Sequence, residues 1–466
     1  MGGFFGVAAK GNCLADVFYG TDYHSHLGTK RGGLAVLGDN GFVRVIHNIE
    51  NAQFRSKFDP DLERLEGRLA IGVISDTDDQ PLLIRSHLGD YAIATVGVVA
   101  NAAELARKAF KSRRIHLSEM GSVDINPTEV VASLIDMEDS FESGIRRALT
   151  EIEGSCSLLV MTRDGIYAAR DRRGRTPVII GRKDGATAVT FETCAFPNLD
   201  FQAEKALGPG EIAFITADGW ESRRPPGERL QICSFLWVYY GYPASTYEGI
   251  NVEEVRNRCG AALARRFPAA VDYVAGIPDS GIGHGLGYAT ESGLPFKRPF
   301  VKYSPTWARS FMPQHQEVRD LVARMKLIPI RELIAGRRIL FCEDSIVRGT
   351  QLRDTIRRLY DAGAAEIHMR PACPPLLYSC KFLNFSRSRS EMDLATRKAM
   401  RALRDPQDGD PGARARFATA AYDEMVEWIR QHLDLTTLKY QAMEDLVAAI
   451  GLPKEKLCTY CWDGEE

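Results

Sequence analysis

The residues best suited to chemistry are two adjacent acids, Glu343 and Asp344. They follow the apolar run Ile339-Leu340-Phe341-Cys342 and precede Ser345-Ile346-Val347-Arg348-Gly349-Thr350. This order predicts a buried strand with both carboxylates at its carboxyl end, a tight loop, and a helix over Gln351–Ala362. Open α/β sheets bind ligands at that end of their strands. The loop offers two hydroxyls, a glycine and a run of backbone N–H groups at a helix start, a combination suited to phosphate. It has no Gly-Lys-Ser/Thr, which excludes a nucleoside-triphosphate P-loop. The paired carboxylates suit neighbouring hydroxyls, as on a ribose, or a metal ion. Between Lys297 and Arg338, ten Lys or Arg stand against three Asp or Glu. A local positive field of this kind attracts a polyanion.

A second pattern is Cys458-Thr459-Tyr460-Cys461, a ligand pair that needs two further ligands. The chain has ten cysteines. The N-terminus Met-Gly-Gly-Phe-Phe-Gly has neither a basic segment nor a long apolar core, so it does not read as a signal peptide. Reduced thiols and a cytoplasmic location are therefore expected, rather than a disulfide framework. Cys156, Cys194 and Cys342 lie in apolar surroundings and read as small core residues. Cys13 reads as a loop thiol.

The elements that position these residues need more than one core. A chain of 466 residues predicts two or three domains. Its 45% hydrophobic and 26% charged composition is that of a globular protein. A net charge of -2 argues against bulk nucleic-acid binding, and no apolar run is long enough to span a bilayer. Over residues 1 to about 230, strands are predicted at Phe4–Ala8, Leu69–Ile74, Tyr91–Val99, Cys156–Met161, Gly165–Ala169 and Pro177–Gly181. Leu34–Leu37 and Phe42–Ile46 flank Gly-Asp-Asn-Gly, a hairpin signal. Helices are predicted over Thr128–Asp136 and Phe141–Glu151. The mixture points to a layered α+β domain. The second half starts near Cys233, and Ser234–Tyr240 is expected at the junction. A helix over Val252–Arg266 follows, then a strand and glycine-rich loop over Tyr273–Gly281, and a helix over Gly285–Ser292. Strands are expected at Phe300–Tyr303 and Glu366–Arg370. A charged, insertion-like stretch, Ser386–His432, holds a loop at 405–412 between two helices. A final helix is expected over Leu438–Ile450.

The run Glu343–Thr350 resembles the phosphoribosyl-pyrophosphate (PRPP) loop of type I phosphoribosyltransferases. In its Ser-Ile-Val-Arg-Gly-Thr form it is similar to the amidophosphoribosyltransferase family, which opens purine biosynthesis. The resemblance implies a four-layer αββα N-terminal-nucleophile-type glutaminase-like domain over 1–232. An α/β type I phosphoribosyltransferase domain would follow over 233–466. Glu343 and Asp344 would grip the ribose hydroxyls and serve as ligands where Mg²⁺ binds. The first acid is Asp in most of the family, so Glu343 reaches one methylene further. Ser345, Ile346, Val347, Arg348, Gly349 and Thr350 would hold the 5′-phosphate, and Asp279, Ser280 and Gly281 the pyrophosphate side. Lys302, Arg309 and Arg319 would face the diphosphate. Tyr303–Ala308 is extended relative to the family's closing loop and lacks its Arg and Tyr. Cys380-Lys381-Phe382-Leu383-Asn384-Phe385 replaces a Tyr-Gly-Ile-Asp motif. Some family members carry a structural 4Fe-4S cluster, and its ligands map onto Cys233, Cys380, Cys458 and Cys461. By softness alone, four thiolates suit such a cluster or zinc equally.

The N-terminal half resembles the family's glutaminase domain through Arg170-Asp171 to Pro177, Phe191–Phe196 and Pro209-Gly210-Glu211. Thr128-Glu129-Val130 and Glu153-Gly154-Ser155 also fit. The catalytic pattern departs from it. Gly2 stands where the family has its nucleophilic Cys, and Ser75 where an Arg reads the glutamine carboxylate. Val96-Gly97 replaces the Asn-Gly oxyanion hole, and Pro127 an Asp that reads the glutamine amino group. Leu27 replaces an Arg. The resemblance thus implies PRPP-dependent transfer to ammonia or another amine, giving phosphoribosylamine and pyrophosphate without glutamine hydrolysis. The alternative is a non-catalytic PRPP- or nucleotide-binding regulatory paralogue. A different small molecule in the old glutamine pocket is a third possibility. The family also implies a homo-oligomer, with no nucleic-acid or membrane partner.

Overall fold

The computed structural model describes residues 2–28, 30–76, 78–111, 125–302, 327–383, 390–403 and 417–466. Its first half contains two antiparallel sheets stacked face to face. Seven strands form the first, in the order Gln202–Ala206, Ile179–Lys183, Ala186–Thr190, Gly3–Ala9, Leu69–Ser75, Arg31–Gly38, Gly41–Asn48. Six form the second, in the order Gly219–Arg224, Ile212–Thr216, Ile166–Ala169, Gly154–Met161, Gly89–Val99, Leu82–Ser86. The N-terminal strand Gly3–Ala9 is central, with Phe5 opposite Thr190 on one side and Gly72 on the other. Phe4, Phe5, Val7, Ile71 and Val73 pack with Ala92, Ala94, Leu159 and Met161 of the second sheet. The helix Leu14–Asp22 covers the first sheet. Pro127–Ile135 and Phe141–Glu151 cover the second, burying Val130, Val131, Ile145 and Leu149 against Tyr91, Ile93 and Val160. The result is the expected αββα stack.

Local signals set several boundaries. The helix Phe141–Glu151 starts where Ser140 accepts from the Ser143 N–H. At Pro127–Ile135 the Asn126 side chain accepts from the N–H groups of Thr128 (2.9 Å) and Glu129 (3.4 Å). Replacing Asn126 with Ala should cost about 1 kcal/mol, the ordinary worth of an N-cap. A urea titration measures it, and no loss of midpoint would contradict the assignment. Cys13 differs from expectation. It is 1% exposed and packs in the core just before the helix Leu14–Asp22.

The second half is built on a parallel four-stranded sheet. Its order is Tyr273–Gly276, Arg338–Glu343, Glu366–Pro371, Thr437–Leu438. Alternate residues of the central strands face opposite cores. Val274, Leu340 and Cys342 meet Val255, Cys259 and Leu263 of the helix Val252–Arg266. Ala275, Ile339 and Phe341 meet Ile356 and Leu359 of Thr350–Asp361, together with Ala399 and Met425. Both faces are covered, which is why these strands read as unbroken apolar runs.

Two expected boundaries shift. The helix after the glycine-rich loop spans Gly281–Ser292 and so begins earlier than Gly285. The final helix is Met443–Ile450, and Thr437–Leu438 is an edge strand instead. The predicted loop at 405–412 lies outside the described residues. Leu236–Tyr240 forms a π-helical turn at the junction of the halves. There Arg256 donates to the carbonyls of Trp237, Tyr239 and Gly241 at 2.8–3.0 Å. Buried Glu192 of the first half accepts from the Tyr242 N–H at 3.2 Å and from the Tyr247 hydroxyl. One apolar interior therefore runs across residue 233. Among the described residues, no helix is long and apolar enough to cross a membrane.

Candidate active site

The strands Tyr273–Gly276 and Arg338–Glu343 are adjacent and parallel, with Gly276 opposite Cys342. Their carboxyl ends therefore open side by side, and the loops that leave them meet. Ile277 N–H donates to the Cys342 carbonyl at 3.0 Å. A Cβ on Gly281 would stand 2.5 Å from that carbonyl oxygen, so the backbones approach this closely only because residue 281 is glycine. The Asp344 carboxylate joins the two loops. Its Oδ2 accepts from the Ser280 hydroxyl and its Oδ1 from the Ser345 hydroxyl, both at 2.6 Å. Lys302, on the next strand, pairs with Asp279. Asp279, Ser280, Gly281, Lys302, Glu343, Asp344 and Ser345 thus lie around one opening. Arg309 and Arg319 lie outside the described residues.

From Ser345 the chain turns back into a helix. Ile346 is buried and anchors the loop in the core. Gly349 takes a left-handed φ of 76° and caps the helix Thr350–Asp361, which starts one residue before the expected Gln351. The remaining loop groups, Val347, Arg348 and Thr350, are half-buried or exposed. The loop is braced from a direction the sequence did not suggest. Ala395 N–H donates to the Val347 carbonyl at 2.8 Å, and the Lys398 ammonium to the Arg348 carbonyl at 3.5 Å. The charged stretch read as an insertion is therefore part of the loop's support.

Burial, reinforced by the Asp344 charge, pushes the Glu343 carboxyl well above the ordinary carboxylate range. Such a group binds its proton more tightly folded than unfolded. Stability should therefore fall as pH rises from the unfolded value, about 4.3, through the raised folded one. Glu343→Gln should remove that decline, so the variant gains on the wild type across this window. Thermal melts at stepped pH would show it. Parallel curves for the two proteins would contradict it.

Most of the residues mapped onto the glutamine site come together. Gly2, Ser75, Val96, Gly97 and Pro127 line one cavity of about 120 Å³. Leu27 packs in the core instead. Among the described residues, Asp76 and Asp78 are the charged side chains on the cavity wall. A network that sequence reading missed crosses it. Thr128 donates to Asp78 at 2.7 Å, the Thr95 and Thr128 hydroxyls lie 2.6 Å apart, and Gln80 accepts from the Thr95 N–H at 2.7 Å. These polar residues come from the loop at 78–80, the strand Gly89–Val99 and the helix Pro127–Ile135, so no local motif announces them.

The four mapped cysteines come together. Cys233 pairs with Cys458 across two parallel strands. Cys461 hydrogen-bonds Cys380, and its thiol is raised by that bond, by burial and by the three other thiols. Burial, then Cys458 and Cys380, raise the Cys233 thiol. Trp462 stacks on Phe235 at 4.7 Å and seals the C-terminal segment against the junction. As the chain stands, no set of three or more His, Cys, Asp or Glu among the described residues is placed to hold a metal ion. Four thiols are soft donors, of the type that a 4Fe-4S cluster or zinc takes.

Comparison with known proteins agrees with this geometry. A family model described as a glutamine amidotransferase domain matches residues 66–197. The amidophosphoribosyltransferase of Methanocaldococcus jannaschii is 30% identical, over 100% of this chain and 97% of the relative. That of Mycobacterium tuberculosis is 31% identical, over 99% of this chain and 85% of the relative. Among solved structures, the glutamine PRPP amidotransferase of B. subtilis, complexed with ADP and GMP, superposes with a TM-score of 0.85. It is 28% identical and is matched over 99% of this chain and 96% of its own. The likeness runs through both halves at 30% identity or more, so the chain belongs to the amidophosphoribosyltransferase family.

Proposed function

We propose that the protein transfers the phosphoribosyl group of PRPP to ammonia or another small amine and does not hydrolyse glutamine. The observation that carries the transfer reaction is Asp344, which ties the Ser280 loop to the Ser345–Gly349 loop over the ends of two parallel strands. The 5′-phosphate sits on the N–H groups of Ser345–Thr350 at the positive end of the helix Thr350–Asp361. Glu343 and Asp344 accept from the ribose hydroxyls. Lys302, Arg309 and Arg319 offset the charge of the diphosphate. The amine nitrogen bonds to C1 as the C1–O bond to pyrophosphate breaks. The electron pair leaves with pyrophosphate, and the amine gives up a proton. The protein acts by positioning and by stabilising charge at a cationic sugar, with no covalent nucleophile. Mg²⁺, when bound with PRPP near the two acids, would neutralise diphosphate charge. A 4Fe-4S cluster held by Cys233, Cys380, Cys458 and Cys461 would staple the C-terminal segment to both halves and couple folding to its assembly.

The absence of glutaminase activity is supported by the cavity wall. Glycine at residue 2 supplies no nucleophile, and the neighbouring Ser75 and Val96 carry neither a guanidinium nor an amide for glutamine. The test is pyrophosphate release by anaerobically purified protein with PRPP and Mg²⁺, given ammonia in one tube and glutamine in another. Release with ammonia alone is expected. Release with glutamine would refute the second half of the proposal, and tight PRPP binding without turnover the first, leaving the non-catalytic paralogue.

A further inference from the structure

A second opening lies away from Glu343–Thr350. It is a cavity of about 480 Å³ between the Asp171–Arg175 loop of the first half and Lys381-Phe382 of the second. That size falls within the roughly 300–1,000 Å³ range of small-molecule sites. Two polar groups on its wall are buried without partners. Ser155 is 1% exposed and its Oγ makes no hydrogen bond. Arg175 is 5% exposed and its Nε makes none. The same guanidinium donates to Gln231 at 3.3 Å and hydrogen-bonds the Cys458 thiol, and it lies 3.6 Å over the Phe382 ring. Buried donors without acceptors are rare in folded proteins and call for an explanation.

Basic side chains also gather on this wall, with Arg172, Arg173, Arg175 and Lys381 all lining it. Burial and the neighbouring Arg229, Arg172 and Arg175 push the Arg173 guanidinium below its usual range, with Glu466 opposing them. The other acids on the wall each have their own surroundings. Asp171 accepts from the N–H groups of Arg173 and Thr176 and from the Thr176 hydroxyl. Glu151 pairs with Arg147 at 2.8 Å, and Glu153 is exposed. The Glu466 side chain shows what the cluster attracts. It pairs with Lys381, and Lys381, Arg175 and Arg173 hold its carboxyl below the usual range.

We propose that this cavity binds a small dianion of the phosphomonoester class in competition with the Glu466 side chain. Phosphate oxygens accept from several donors at once, matching a serine hydroxyl among arginines. Bound there, the ligand would bridge the first half to the segment that carries Cys380.

Equilibrium dialysis of the full chain with labelled inorganic phosphate, then with glycerol phosphate, tests this. The wild type should show one site in the cavity and one in the Ser345–Thr350 loop. Arg172→Ala/Arg173→Ala should weaken the cavity site by about tenfold or more and keep the loop site, which also shows that the variant is folded. Gly349→Val should do the reverse. Glu466→Gln should tighten the cavity site severalfold. If the double arginine variant binds like wild type, or Gly349→Val abolishes all binding, the cavity proposal is overturned. If the wild type shows one site that Gly349→Val spares and the arginine variant loses, the cavity stands and the phosphate role of the loop fails instead.

Discussion

Asp344→Asn should lower kcat/KM for pyrophosphate release from PRPP by about a hundredfold or more, equivalent to roughly 3 kcal/mol of transition-state stabilisation. Asparagine keeps the shape but changes two things. It removes a negative charge from beside a sugar carbon that becomes cationic. It also replaces one of two acceptor oxygens with an amide donor. In the wild type, both oxygens accept at 2.6 Å, from Ser280 and from Ser345. One of those hydroxyls must therefore turn away in the variant, loosening the pyrophosphate-side loop or the phosphate loop. Ser280→Ala and Ser345→Ala separate the effects, since each removes one tether and keeps the charge. Both should cost less than Asp344→Asn. An Asp344→Asn enzyme with more than a tenth of wild-type kcat/KM would remove Asp344 from the centre of the mechanism.

Gly2→Cys should yield no glutamine hydrolysis and a less stable protein. A Cβ at residue 2 would stand 2.1 Å from the Ile74 carbonyl oxygen and 3.4 Å from the Ser75 Cα. The first distance is far inside van der Waals contact, and Ile74 is held in the strand Leu69–Ser75 opposite Gly3. The strands must shift, at an expected cost of about 1–3 kcal/mol, read from a denaturant midpoint. A thiol placed there would still lack what glutamine needs. Ser75 has no guanidinium for the carboxylate, Pro127 no carboxylate for the amino group, and Val96 no side-chain donor for the oxyanion. Losing one such donor alone costs about a hundredfold or more. Glutamate release from glutamine is the measurement, and hydrolysis above background by the single variant would sink the account of this pocket.

Much of the phosphoribosyl site was legible because it is local. An apolar run, two acids, a hydroxyl, a glycine and a helix start within a dozen residues specify strand, loop and helix in that order, and the structure has them so. The helices Phe141–Glu151 and Val252–Arg266 start where read because their N-caps, Ser140 and Asn251, are written beside them. The start of the helix Gly281–Ser292 was not legible. Glycine is a poor helix former, so Gly281 reads as loop and the helix is expected only from Gly285. Their merit is tertiary: each lets a neighbouring backbone or side chain approach where a Cβ would clash.

The sequence by itself determined the acid, hydroxyl and glycine order of Glu343–Thr350, the residues at Gly2, Ser75, Val96 and Pro127, and the four cysteine positions, since each is a matter of residue identity. The tertiary structure decided which of these meet. Asp344 reaches Ser280 only because two strands far apart in sequence run parallel and adjacent. Val347 and Arg348 are held by a helix some fifty residues later. Cys233 and Cys458 face each other through one short strand pair. Such contacts are chosen by how whole faces bury against each other. Composition and spacing do not encode that choice locally, and the Arg173–Ser155 cavity, formed where the two halves and the C-terminal segment come together, exists only as its outcome.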